Sequence, residues 1–392
     1  MSAAVVIGAG CIGRGFVGPL FVAAGWHVTF LDIDAPLVEA LARDGSYVQI
    51  TVSTDESVRT VVGPVSAVDD GRDPEAAVAA LVMADVAATA VGGGNLAAIA
   101  PLIAATVTQR VAQHRPPLNV LLCENVHHAA TVMRGLLEPL LSAEELDQVG
   151  LLETSIDRTI PVVEEAIRAT DPSVIYVDPC RPLPFDVAAV RGPGFDVPGV
   201  VGDPSVPFAF FGERKLYVHN LGHALTAYLG ERAGVDLIAD AIAIEDVRRI
   251  VRAVMVEAAT ALASAYTQPI APLVTLVDDL LDRFADRTLP DTIARVGRDP
   301  IRKTSPGDRF VGPYRLALRQ GLSAALLSFA VAVGADALRR HEGWTAGEIR
   351  THLGLDDLEP AESDLLDAQV ALLAETTDLT GQFELIERYW ER

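Results

Sequence analysis

Lysine is nearly missing from this chain. Of the 31 Lys plus Arg among 392 residues, only Lys215 and Lys303 are lysine. Arginine serves as the general cation and stays charged at any relevant pH, so a lysine marks a place where an amine able to give up its proton could be of use. Cysteine is scarce as well. Cys11, Cys123 and Cys180 are widely spaced and odd in number, which excludes a disulfide framework and a zinc cluster and predicts reduced thiols. No basic n-region or small-residue cleavage site precedes the opening apolar stretch SAAVVIGAG, so a secretory signal is not expected and the cytoplasm is the expected compartment. Long hydrophobic runs are also wanting. The richest, GLSAALLSFAVAVGADAL at 321 to 338, is diluted by small residues and falls short of the roughly 20 apolar residues of a membrane span, so it predicts a buried helix. Basic charge is outweighed: the formal net charge is -22, which disfavours nucleic acid and anionic membrane as partners and requires any anionic ligand to be held by a local basic cluster.

What is present is ample apolar sequence, half of the residues, in a chain too long for one ordinary core. From residue 3 to about 125, β-branched runs (AAVVI, WHVTFLDI, VAATAV, NVLLCEN) alternate with Ala/Leu segments of helical period, which implies βαβ units and a parallel sheet. Residues 150 to 210 are rich in Pro, Gly and Asp and predict the far edge of the sheet and the connection to a second domain. Beyond about 212 the pattern is helical almost to the end, with 236 to 266 the clearest long segment. The expected architecture is an α/β Rossmann-type domain over 1–205, with a mostly parallel doubly wound sheet, followed by a mostly α-helical domain over 206–392.

The segment Gly8-Ala9-Gly10-Cys11-Ile12-Gly13 joins the run AAVVI to a helix-like segment, the setting that gives GxGxxG its meaning. The first glycine permits a tight turn, the second lets backbone N–H groups approach a pyrophosphate, and the third allows close helix–strand packing. The second strand, HVTFLD, ends at Asp32, near the spacing expected of the acid that accepts from the adenosine ribose, which predicts NAD and disfavours a 2′-phosphate. Arg14 is expected on the pyrophosphate side or in solvent. Thr89-Ala90-Val91-Gly92-Gly93-Gly94 follows another strand and predicts a loop beside the nicotinamide ribose, contributed by Val91 and Gly92.

An alcohol dehydrogenase needs a base. A Tyr-x-x-x-Lys pair is excluded, because the residues four before the two lysines are Phe211 and Asp299. A zinc enzyme is disfavoured, since the cysteines have no metal-site grouping and His219 and His223 have no carboxylate close in sequence. That leaves Lys215 with Asn220 and His223. At 100° per residue, Lys215 and His223 lie about 80° apart on one helix. Bringing the lysine from about 10.4 to about 7 or 8 takes roughly 4 kcal/mol of desolvation and like-charge repulsion. Asn220 would donate to the developing alkoxide and His223 would orient a substrate hydroxyl.

Six stretches, GAGCIGRGFVG at 8 to 18, TAVGGGNLAAIAP at 89 to 101, CEN at 123 to 125, SIDRTIP at 155 to 161, ERKLYVHNLGHALTAYLG at 213 to 230 and VGRDPIRKTSPGDR at 296 to 309, resemble the polyol-specific long-chain dehydrogenase family. The resemblance implies a metal-free NAD enzyme with Lys215 as general base and His223 as the substrate-orienting residue. It implies that Asn125 joins Asn220 in stabilising the alkoxide, and that the substrate lies between a Rossmann and a helical domain. Asp157 and Arg158 fall in a family motif. Within the family, the compact length resembles the phosphate-specific branch, whose reaction would be reversible oxidation of D-mannitol 1-phosphate to D-fructose 6-phosphate. Arg302, Lys303 and Arg309 then suit a phosphate ester, or else pair with Asp299 and Asp308 to fix a loop. The partner expected is a small polyol phosphate, acted on by a monomer or weak homodimer. The alternatives are a dehydrogenase of an unphosphorylated polyol or hexuronate, and a nucleotide-binding regulator without turnover.

Overall fold

The structure is a computed structural model that describes residues 2–52, 57–126, 128–156, 169–179, 182–287, 291–376 and 378–390. Asp157, Arg158 and Cys180 lie outside the described residues. The chain forms two compact units, Met1–Phe208 and Ala209–Arg392.

The first unit is built on six parallel strands in the order β5-β2-β1-β6-β7-β8: β1 Ala3–Ile7, β2 His27–Asp32, β5 Val65–Asp69, β6 Val86–Thr89, β7 Leu118–Leu122 and β8 Val149–Glu153. Helices cover both faces, so the strands read as continuous apolar runs. Side-chain alternation sorts β1 between two cores: Ala4 and Val6 pack with Phe16, Phe21 and Phe30 on one face, Val5 and Ile7 with Leu81, Leu96 and Ile103 on the other. The chain runs outward through β2 and β5, then returns to place β6 beside β1. The crevice outside the carboxyl ends of β1 and β6 is therefore the topological switch point, where ligands of open α/β sheets bind.

Residues 150 to 210 depart from the expected plain sheet edge. β8 is the edge, but β9 (Ile175–Val177) leaves it to pair in parallel with β3 (Tyr47–Val52), which is also antiparallel to β4 (Ser57–Val62). β10 (Leu183–Pro184) and β11 (Val200–Val201) form a further short pair. The reason for the β9 excursion is Arg14. Its buried guanidinium donates to the carbonyls of Ala9, Pro172 and Ser173, while the Tyr47 hydroxyl and Gln49 amide donate to the carbonyls of Arg14 and Gly15. Arg14 is thus withdrawn from solvent and ties the first loop to the 171–173 segment.

The described elements of the second unit are helical. The apolar stretch near 321 to 338 is the buried part of the helix Ala325–Glu342. The long segment 236 to 266 is two helices, Ile238–Ile242 and Glu245–Ala265, interrupted at Ile244, whose backbone is extended. The first is held in place by Ile238 N–H donating to the Asp291 carbonyl, a distant contact that periodicity does not reveal. Buried Asp336 accepts from Arg232, Arg339 and Arg340, and Arg232 donates onward to the Leu373 and Thr376 carbonyls, which fastens three helices. No described helix is long and apolar enough to cross a membrane.

Glu257 gives this unit a pH dependence. It accepts from Leu327 N–H at 2.7 Å, capping the helix Ala325–Glu342, and burial pushes its carboxyl up to about 8 against the opposing hydrogen bonds of Leu327 and Leu326. A folded-state pKa above the unfolded one stabilises fully below about 4.3, and that stabilisation is lost as pH rises toward 8. Glu257→Gln keeps an acceptor and removes the ionisation. Its melting temperature should exceed that of the parent by several degrees at pH 9, with the gap closing by pH 5. A gap that is constant with pH would contradict this assignment.

Candidate active site

At the carboxyl end of β1, Gly8 turns the chain with φ of +99°. A Cβ on Gly13 would stand 1.9 Å from the Gly8 carbonyl oxygen, whereas one on Gly10 would meet nothing within 4 Å. The three glycines therefore differ: the first makes the turn, the third seals the helix against the strand, and the middle one leaves an open cradle that a side chain would fill. Asp32, at the end of β2, accepts from Ala9 N–H at 2.7 Å and Asp34 N–H at 3.0 Å, which fixes its carboxylate beside the cradle. Asp69 is its register partner on β5, and burial raises the Asp70 carboxyl, with the charges of Asp32 and Asp69 adding to the shift. Such crowding of carboxylates is hostile to a further phosphate. Cys11 is exposed on the loop and Ile12 is half-buried. The cradle, the switch point and the acid at the end of β2 fit a dinucleotide.

The β6 loop also lies at this end. Val91 and Gly92 N–H donate to the two oxygens of Glu124, at 3.0 and 2.8 Å. Glu124 follows β7, and its neighbour Asn125 is exposed. Burial raises the Glu124 carboxyl, with the Val91 and Gly92 hydrogen bonds among those opposing it.

In the second unit, the α-helix Ala209–Arg214 widens into a π-helical stretch, Lys215–Asn220, before the α-helix Leu221–Ala233 resumes. A π turn is closed between residues five apart, so Lys215 and Asn220 fall on the same face of the helix. A plain α-helix, the geometry assumed from the sequence, would separate them by 140°, five steps of 100°. His223 follows Asn220 by three residues on the α-helix and continues the same face. Burial agrees: Leu216, Tyr217 and Val218 are buried, whereas Lys215, His219, Asn220 and His223 are half-buried. π turns of this kind occur often at functional sites.

His223 is held tightly. Its ring stacks on Phe284 at 5.1 Å, and its Nε2 lies 3.0 Å from an oxygen of Asp291. Burial pushes the Asp291 carboxyl up, but hydrogen bonds from His223 and Arg295 outweigh this and hold it below the usual range. The carboxylate is an acceptor, so in the neutral ring the proton sits on Nε2 and Nδ1 is the acceptor. No carboxylate lies close to His223 in the sequence, and Asp291 is brought to it by the fold alone. Among the described residues no group of three or more His, Cys, Asp or Glu is arranged to hold a metal ion.

The basic cluster sits at the short helix Pro300–Lys303. Arg302 pairs with Asp299 at 2.7 Å and with Asp308 at 3.4 Å, and Arg309 pairs with Asp308 at 2.8 Å. Lys303 is 5% exposed and its amine has no ion pair among the described residues. Burial, helped by repulsion from Arg309 and Arg302, pulls it down to about 8. Three cations thus face two carboxylates.

Comparison with known proteins agrees with this architecture. Residues 2–187 match the family model described as the mannitol dehydrogenase Rossmann domain, and residues 208–346 the mannitol dehydrogenase C-terminal domain. The chain is 34% identical over 334 residues to a mannitol-1-phosphate 5-dehydrogenase from Brevibacillus brevis, covering 84% of each protein. Among solved structures, a Pseudomonas fluorescens mannitol 2-dehydrogenase in ternary complex with NAD and D-mannitol aligns over 100% of this chain and 94% of its own, with a TM-score of 0.68 and 16% identity. A D-sorbitol dehydrogenase in substrate-free form aligns over 98% and 94%, with a TM-score of 0.75 and 16% identity. With both domain models matched in order along a single chain, this protein belongs to the mannitol dehydrogenase family of oxidoreductases.

Proposed function

We propose that this chain catalyses reversible, metal-independent, NAD-dependent oxidation of D-mannitol 1-phosphate to D-fructose 6-phosphate. The observation that carries the reading is the π turn, which lines up Lys215, Asn220 and His223 on one face. The likeness to the Brevibacillus protein supports the phosphorylated substrate.

Gly8, Ala9, Gly10, Cys11, Ile12 and Gly13 would cradle the dinucleotide pyrophosphate, with Asp32 on the adenosine ribose and the Val91–Gly92 loop at the far end. The carboxylates at Asp32, Asp69 and Asp70 favour NAD over NADP. When bound, NAD supplies the hydride acceptor. Lys215, as the neutral amine, takes the proton of the reacting hydroxyl at Nζ. Asn220 and Asn125 donate to the oxygen as charge develops on it, and His223 orients the hydroxyl through the Nδ1 that Asp291 leaves unprotonated. Lys303, with Arg302 and Arg309, would meet the phosphate: a buried cation whose charge burial disfavours gains a partner when a dianion arrives.

One observation favours an unphosphorylated polyol or hexuronate instead. Arg302 and Arg309 are already engaged by Asp299 and Asp308. A panel of mannitol 1-phosphate, mannitol, sorbitol and hexuronates, with NAD and NADP, followed at the nicotinamide absorbance band, decides the matter. The phosphate ester with NAD should exceed mannitol in kcat/KM by roughly 100-fold or more. Equal or better turnover of mannitol would overturn the phosphate assignment, and NADH binding without any polyol-dependent change would overturn the enzymatic one.

A further inference from the structure

We propose that Glu124 is a positioning residue that fixes Asn125 by clasping the β6 loop to the β7 loop. The inference rests on the reading above, in which Asn125 stabilises the alkoxide. β6 and β7 are adjacent parallel strands, and their last paired residues are Thr89 and Leu122. Past that point, four successive residues after β7 take distinct parts. Cys123 N–H donates to the Thr89 carbonyl at 3.0 Å, which extends the ladder by one step. Glu124, 6% exposed, turns its carboxylate back into the β6 loop and accepts from Val91 and Gly92 N–H at 3.0 and 2.8 Å. Val126 closes on Gly93, where a Cβ would stand 2.0 Å from its Cγ2. Asn125, between these two anchors, is exposed.

The chemistry makes the clasp specific. Two successive backbone N–H groups, made convergent by the positive φ of 86° at Gly92, form a concave donor pair of the kind that binds anions. Here the anion belongs to the chain. A carboxylate has two acceptor oxygens and satisfies both donors, whereas a carboxamide has one acceptor oxygen and would aim an NH2 at the other donor. Burying a carboxylate this deeply costs stability unless it is hydrogen-bonded, so the geometry is held from both sides. An error of about 1 Å in a catalytic group can cost on the order of 100-fold in rate, which is the scale at which a clasp beside Asn125 matters.

The test is a double-mutant cycle on the full chain with Glu124→Gln, Asn125→Ala and the pair, measuring kcat and KM for mannitol 1-phosphate, NADH affinity and melting temperature. Glu124→Gln should lower kcat by roughly 10- to 100-fold with KM changed little. In the Asn125→Ala background the same change should have almost no further effect, because its route to the chemistry is already gone. If Glu124→Gln does not fold, Glu124→Asp, which keeps the charge and shortens the reach by one methylene, takes its place in the cycle. Additive losses, or a Glu124 variant with the parent's kcat, would overturn the positioning role while leaving the proposed reaction intact. A parent enzyme inert toward every polyol phosphate would instead overturn the reaction, and the positioning role with it.

Discussion

Lys215→Arg should reduce kcat for polyol oxidation by roughly 1,000-fold or more while NADH binds almost as tightly as to the parent, measured by steady-state rates and fluorescence titration. Positive charge and hydrogen-bond donors remain in the variant. What disappears is the capacity to exist as a neutral base, because a guanidinium does not deprotonate in any usable pH range. A loss confined to kcat therefore isolates proton uptake from binding. Turnover within about tenfold of the parent would remove the lysine from the base role, since general-base catalysis contributes roughly 100- to 10,000-fold.

The second large effect separates two glycines three residues apart. Gly13→Ala would put a Cβ 1.9 Å from the Gly8 carbonyl oxygen, against backbone that cannot yield, so it should cost roughly 3 kcal/mol or more and abolish cofactor binding. Gly10→Ala adds its methyl where nothing lies within 4 Å, so the melting temperature should hold or rise slightly while NADH affinity falls by at least about tenfold. Thermal unfolding paired with NADH titration reads both. An unchanged NADH affinity in Gly10→Ala would mean that the dinucleotide does not approach this loop.

The first unit's sheet was legible in the sequence because its signals are local. Apolar runs separated by segments of helical period, a glycine loop directly after a run, and an acid at the end of the next one each report on their own neighbourhood. The Lys, Asn and His set was legible for the same reason, though its geometry was not, since spacing alone does not tell a π turn from an α turn. Other features depend on contacts between distant residues. Arg14 resembles a phosphate ligand until Pro172 and Ser173 are seen to claim it. Asp291 reaches His223 from far along the chain, and Glu124 was read only as part of a motif. The placement of the short helix Ile238–Ile242 is of this kind too, as Ile238 N–H donates to the backbone carbonyl of Asp291.

On the proposed reaction, the widened turn at 215 to 220 keeps part of the chemistry in a pattern of main-chain bonds and not in side chains alone. A substitution that leaves the lysine, both asparagines and the histidine untouched, yet lets that segment relax to ordinary helical winding, would swing the amine away from the amide one turn on. Such a variant could fold, melt normally and hold its cofactor, and still be inert for a reason that no inventory of residues would disclose.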